Sequence, residues 1–96
     1  MIDAESLPVL PGALDLAQAG IRTGGDWRNR EFAGPHVESS ADAAREALAY
    51  DPQTAGGLLV SLPAERGAVL EATFASAGLF VARIGNVQAG TGVVLQ

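Results

Sequence analysis

The sequence predicts a small α/β (α+β) fold, a mixed sheet with helices on one face, and three observations predict it. An unbroken apolar run, Leu58-Leu59-Val60, precedes the longest helical pattern, and a second strand-like run, Phe80 to Val87, follows that helix. A strand, helix, strand order places the two strands parallel in one sheet, with a right-handed crossover and the helix over one face. The third observation is size: 96 residues, 48% of them hydrophobic, suffice for one core, so residues 1–96 are expected to form a single domain. Only 5% of residues are aromatic, so that core must be built from Ala, Val and Leu.

The first element is a short helix over about Gly12 to Ala19, where Leu10, Ala13, Leu14 and Ala17 recur at helical spacing. Pro11 is tolerated at its first position, and Gly20 can take the left-handed conformation that closes it. From Ile21 to Val37 no apolar period survives. This stretch holds Gly24-Gly25, Gly34-Pro35, the only tryptophan and three of the six arginines, and is expected to be a long loop. A second helix is expected from Ser39 or Ser40, either of which can cap it, through Leu48, with Asp42 near the positive end of its dipole.

Asp51-Pro52 stops that helix, because the residue before proline is pushed out of the helical region. Gln53, Thr54, Ala55, Gly56 and Gly57 form a polar turn that feeds the strand Leu58 to Val60, which ends at Pro63. Pro63 opens the longest helix, about Ala64 to Ser76, weakened at Gly67 and closed by Gly78. After the strand from Phe80 to Val87, Gly90-Thr91-Gly92 is expected to turn a hairpin into a terminal strand, Val93-Val94-Leu95.

Composition excludes several function classes. Without cysteine the chain has no disulfide, thiolate metal site or cysteine nucleophile, and a reducing compartment such as the cytoplasm is the expectation. No stretch is apolar enough to span a bilayer, and the net charge of −5 argues against a general nucleic-acid binder. His36 has no second His or any Cys to complete a metal site, and no serine stands in a nucleophile-elbow setting.

Two segments carry more polarity than a fold needs. They are Gly24-Gly25-Asp26-Trp27-Arg28-Asn29-Arg30 and Asp51-Pro52-Gln53-Thr54-Ala55-Gly56-Gly57. Closely spaced glycines let backbone amides approach an anion, and arginine offers paired donors to phosphate. The candidate phosphate- or substrate-facing residues are therefore Gly24, Gly25, Arg28, Asn29, Asp51, Gln53, Thr54, Gly56 and Gly57. The alternative is a plain turn whose Asp and Thr cap local amides, beside arginines that are solvated or paired with Asp26 and Glu31.

Taken in order, these motifs, with Leu7-Pro8-Val9-Leu10-Pro11-Gly12-Ala13-Leu14 before them and Ile84-Gly85-Asn86-Val87 after, resemble the selenophosphate synthetase (selenide, water dikinase) family. The resemblance covers nearly the whole chain, and the string from Asp51 to Leu59 is its most specific part. Two positions depart from the family pattern, which has threonine where Asp26 stands and serine where Ala55 stands. Asp26 puts a carboxylate where an anion was expected, unless Arg28 or Arg30 neutralises it.

The resemblance implies the carboxy-terminal portion of an enzyme that makes selenophosphate, AMP and orthophosphate from ATP, selenide and water. It also implies a domain like the carboxy-terminal domain of aminoimidazole ribonucleotide (AIR) synthase, within a homodimer. In such an enzyme the nucleophile, its lysine and the aspartates that hold magnesium lie upstream. The implied partner is the upstream half of the same enzyme. No catalytic residue, metal or cofactor is implied for this portion, with ATP and magnesium belonging to the full-length parent. The expectation is a portion inactive alone and prone to self-association through its uncovered apolar face. The competing reading is a stand-alone, non-catalytic α/β interaction module.

Overall fold

The structure, a computed structural model, describes residues 1–96 and contains four helices and a small mixed sheet. The helices are α1 (Ala13–Gln18), α2 (Asp26–Ala33), α3 (Ala43–Ala49) and α4 (Ala64–Ser76). Strands β1 (Val37–Ser39) and β2 (Val93–Leu95) pair in parallel, with Val37 opposite Val93 and Ser39 opposite Leu95. One-turn 3-10 segments lie at Ala4–Ser6 and Gly34–His36. None of the helices is long and apolar enough to cross a membrane.

The sheet continues beyond β2 through the amino-terminal residues. Ile2 donates to the Val94 carbonyl at 2.7 Å, Ala4 donates to the Gln96 carbonyl at 2.7 Å, and Gln96 donates to the Ile2 carbonyl at 3.1 Å. On its other edge the same segment meets residues 84–86 antiparallel, through Asp3 to the Ile84 carbonyl and Asn86 to the Met1 carbonyl. This approach requires Gly85, since a Cβ there would strike the Met1 carbonyl oxygen. The ladder order is therefore β1, β2, residues 1–4, residues 84–86.

This order corrects three expectations. Gly90 to Gly92 does not turn a hairpin, because residues 1–4 are inserted between its two arms and take the hydrogen bonds the arms would have exchanged. The strand from Phe80 to Val87 is reduced to its pairing at residues 84–86. Leu58 to Val60 forms no strand, since no neighbour accepts or donates a backbone hydrogen bond along it, and the parallel crossover built on it is absent. Strand β1 has no counterpart among the expected elements. It packs at Gly92, whose φ is +84° and where a Cβ would lie 2.8 Å from the His36 carbonyl oxygen, so the position has room only for hydrogen.

The helices follow local rules with two corrections. Asp42, not Ser39 or Ser40, caps α3, accepting from the Ala44 and Arg45 amides at 3.0 Å each, because Ser39 is in β1 and Ser40 donates to the Leu95 carbonyl. The segment expected to be a loop is instead α2 followed by a 3-10 turn. Helix α1 opens at Ala13 rather than Gly12, whose φ of +82° belongs to a left-handed turn, and Gly20 (φ +82°) and Gly78 (φ +66°) close their helices as expected. Helix α4 runs from Ala64 to Ser76 as expected, and Arg83 lies across it at Gly67 while pairing with Glu71 at 3.0 Å.

The core is small. Ala17 of α1 and Ala44 and Ala47 of α3 let those two helices close on each other, and Ala4 and Leu95 fill the sheet side. Asp26 is the only other buried residue, and α4 buries none of its own. The accessible surface is 7201 Å², whereas a chain of 9.8 kDa packed to ordinary density would expose about 5,200 Å². The radius of gyration is 14.4 Å, against about 12.5 Å for a compact domain of this length. Roughly 2,000 Å² beyond the norm is open, and large apolar side chains are exposed along the whole chain, among them Leu10, Phe32, Leu58, Leu59, Phe80 and Val87.

Candidate functional site

The two polar motifs, separated by twenty residues of sequence, are brought together at the amino end of α2. A Cβ built on Gly25 would lie 2.7 Å from Pro52 Cγ, so the first motif's glycine is where the second motif's proline ring rests. Four residues on, Asn29 Nδ2 donates to the Tyr50 carbonyl at 2.7 Å, tying α2 to the end of α3 just before the second motif begins. The Asp51 amide continues that end by donating to Leu48 O at 3.3 Å.

A charge cluster lies behind this junction. Arg30 Nε donates to Asp26 Oδ2 at 2.8 Å, and Arg30 Nη1 donates to Glu46 Oε1 at 2.5 Å. The guanidinium also sits 4.5 Å from the centroid of the Tyr50 ring. Ser39 and the Arg30 guanidinium hold the Glu46 carboxyl below its ordinary value. Burial works against the charge on Arg30, yet its bonds to Glu46 and Asp26 raise its pKa above the ordinary value. The departure at Asp26 is thus compensated: its carboxylate is neutralised by Arg30 from one turn along the same helix. Its second oxygen, Oδ1, is buried and accepts from nothing.

Beside the cluster a cleft of 200 Å³ opens between α1, α2 and the end of α3, with Leu16, Ile21 and Leu48 on its apolar side and Thr23, Asp26 and Asp51 on its polar side. A second cleft of 250 Å³, almost wholly apolar, lies under Phe32 and Tyr50 against the sheet.

The candidate residues fall into two groups. Gly25, Asn29 and Asp51 form the junction. Gly24, Arg28, Gln53, Thr54, Gly56 and Gly57 are exposed around it. Arg28 lies over the ring of its neighbour Trp27 at 5.2 Å, and Gln53 folds back so that its Oε1 is 2.8 Å from where a Cβ on Gly56 would be. The amides from Gln53 to Gly57 donate to no group in the chain. The arginines do not converge on one anion: Arg22 donates to the Ala17 and Ile21 carbonyls at 2.8 Å each, and Arg30 is engaged in the cluster.

What this arrangement can offer a ligand is a set of backbone donors in the Gln53 to Gly57 turn, flanked by the Arg28 guanidinium. No three His, Asp or Glu side chains converge, so these residues do not fit a magnesium site. Sequence reasoning missed Tyr50 and Glu46 as parts of the site. Asp26 and Arg30 carried a readable signal in their four-residue spacing, whereas nothing in the sequence joins Glu46 to Arg30 sixteen positions away.

None of the protein-family models matches the chain. It is 46% identical over 92 residues to a selenide, water dikinase of Pseudomonas straminea, which covers 93% of this chain and 26% of that protein. It is 40% identical over 91 residues to a selenide, water dikinase of Aeromonas hydrophila, covering 95% of this chain and 26% of the relative. With selenide, water dikinase 2 of Peptoclostridium acidaminophilum it shares 38% identity over 85 residues, 86% of this chain and 24% of the relative. The chain therefore spans about a quarter of the length of these curated relatives. Homologous along nearly its whole length, with both polar motifs joined in one junction, the chain belongs to the selenide, water dikinase family as a carboxy-terminal portion.

Proposed function

We propose that this chain is the supporting part of an enzyme that makes selenophosphate, AMP and orthophosphate from ATP, selenide and water, and that it does not turn over ATP alone. The observation that carries the reading is the junction itself: the two motifs that mark the family meet at Gly25 and Pro52, and the Gln53 to Gly57 turn faces outward with its amides unused. In this reading the turn and Arg28 hold phosphoryl oxygens that the preceding part of the enzyme presents, while Asn29 and the Arg30 cluster fix where the turn begins. The nucleophile and the magnesium-holding carboxylates belong to that preceding part, and the working assembly is a cytoplasmic homodimer.

The test is a comparison of two preparations supplied with ATP, magnesium and selenide. The purified 96-residue chain should form no AMP above background. A full-length selenide, water dikinase carrying residues 1–96 in place of its matching stretch should form it, and Asn29→Ala in that protein should lower kcat/KM by roughly tenfold or more through misplacement of the turn. Magnesium-dependent AMP formation by the chain alone would overturn the proposal.

A further inference from the structure

We propose that residues 57–62 are a strand whose sheet neighbours lie in the preceding part of the same polypeptide, so that docking with that part proceeds by strand addition. The inference rests on reading the chain as one part of a longer enzyme, and it names how the two parts join.

The sequence carries the first half of the case. Leu58, Leu59 and Val60 are consecutive, so a strand made of them points apolar side chains to both faces, the pattern of a strand covered on both sides rather than one lying on a protein surface. The structure carries the second half. Leu58 is 93% exposed, Leu59 75% and Val60 61%, which leaves both faces in water. From Gly57 to Leu62 no backbone amide or carbonyl makes a hydrogen bond within the chain, and no residue there has positive φ, so every position is free to enter a ladder. An apolar segment that satisfies neither its side chains nor its backbone is an incomplete part of a sheet.

Three observations decide the occupant. The chain as a whole exposes roughly 2,000 Å² beyond the norm, with apolar side chains open from Leu10 to Val93 as well as at residues 58–60. That is well above the area of about 800 Å² that one partner buries in a standard interface, so a short peptide or small ligand is too small to cover it. A second copy brings the same net charge of −5 to the contact and offers the same doubly apolar strand, which would leave one face of the pair wet. The relatives extend to about four times the length of this chain, and that additional chain is large enough to supply both a strand and a covering layer.

Backbone hydrogen–deuterium exchange tests the inference on the 96-residue chain at several concentrations and on the full-length protein carrying residues 1–96. Amides of residues 58–62, none of them proline, should exchange near unstructured rates in the chain alone at every concentration. In the full-length protein they should slow by about a hundredfold or more, the protection of a strand held in a sheet. Should that hybrid fail to fold, the matching segment of the intact Pseudomonas straminea relative is read instead, with the same result expected.

Three results would each overturn the inference. Concentration-independent protection in the chain alone would mean that the strand pairs within these residues. Protection that grows with concentration would mean that a second copy is the occupant, and rapid exchange in the full-length protein would mean that the segment is a loop. Each is distinguishable from failure of the functional reading, which is decided by AMP formation and not by exchange.

Discussion

Replacing Arg30 with Met should destabilise the chain by about 2 kcal/mol. Arg30 joins α2 to α3 by donating to Asp26 and to Glu46 and by covering the Tyr50 ring. Asp26 is the critical partner: its side chain is only 12% exposed and its Oδ1 already accepts nothing, so losing Arg30 leaves both oxygens unpaired. Breaking a fully buried ion pair costs about 3–5 kcal/mol, but the Arg30 side chain is 34% exposed and water screens part of the loss. An unsatisfied charged group in a partly buried setting costs about 1–3 kcal/mol, which centres the expectation near 2. For a domain of this size that corresponds to a fall in Tm of about 8–16 °C. Urea unfolding followed by circular dichroism measures it, with Arg28→Met as a control that should change stability by less than about 0.5 kcal/mol. Combining Asp26→Thr with Arg30→Met removes the orphaned carboxylate and should recover about 1 kcal/mol. An Arg30→Met chain as stable as the parent, or a double variant no better than the single, would refute the reasoning.

Gly25→Ala should cost about 1–3 kcal/mol, since the new methyl would sit 2.7 Å from the Pro52 ring, and a ring cannot rotate aside as a long side chain can. Adding Pro52→Ala should restore most of the loss in the same urea assay, and a Gly25→Ala chain unchanged on its own would show that the two motifs are not in contact. The Glu46 carboxyl is held low by Ser39 and Arg30, so its folded value lies below its unfolded value near 4.5. Its contribution to stability is therefore fully present above that pH and is lost as pH falls through the lowered value. The urea midpoint of the parent should drop as the medium is acidified below pH 4.5, and Glu46→Gln should make that drop shallower. An equally steep drop in Glu46→Gln would show that other carboxylates carry it.

How far the fold was legible depended on whether an element is defined by its own residues. Helix α4 and the glycine closures at Gly20 and Gly78 follow from local rules and stand where the sequence placed them. Helix α2 escaped because its signal is in charge rather than in apolar period: Trp27 and Phe32 face water, and Asp26 to Arg30 is the pairing that stabilises it. The strands were misread because a ladder is a property of two segments. Val37 to Ser39 is too short to announce itself and exists through β2, whereas Leu58 to Val60 has every strand preference and no neighbour. The candidate site was legible as two motifs, but their meeting at Gly25 and Pro52 depends on the packing of α2 beside α3, which no spacing encodes.

The Gln53 to Gly57 turn lies between an end that is fixed and an end that is not. Behind it, Pro52 rests on Gly25 and Asn29 holds the Tyr50 carbonyl, contacts that need nothing beyond this chain. Ahead of it, residues 57–62 make no backbone hydrogen bond and bury little of their apolar surface. A turn anchored at one end samples many arrangements of its amides, and a set of donors binds an anion well only when it is held in place before the anion arrives. If the far end is fixed by strand addition, docking of the preceding part both covers the apolar strand and aligns the turn. Chemistry and assembly would then be coupled through only five residues, from Gln53 to Gly57. On the proposed reading, the isolated chain would hold the motif without its geometry, and weak binding of phosphoryl groups by it would follow from an unfixed strand.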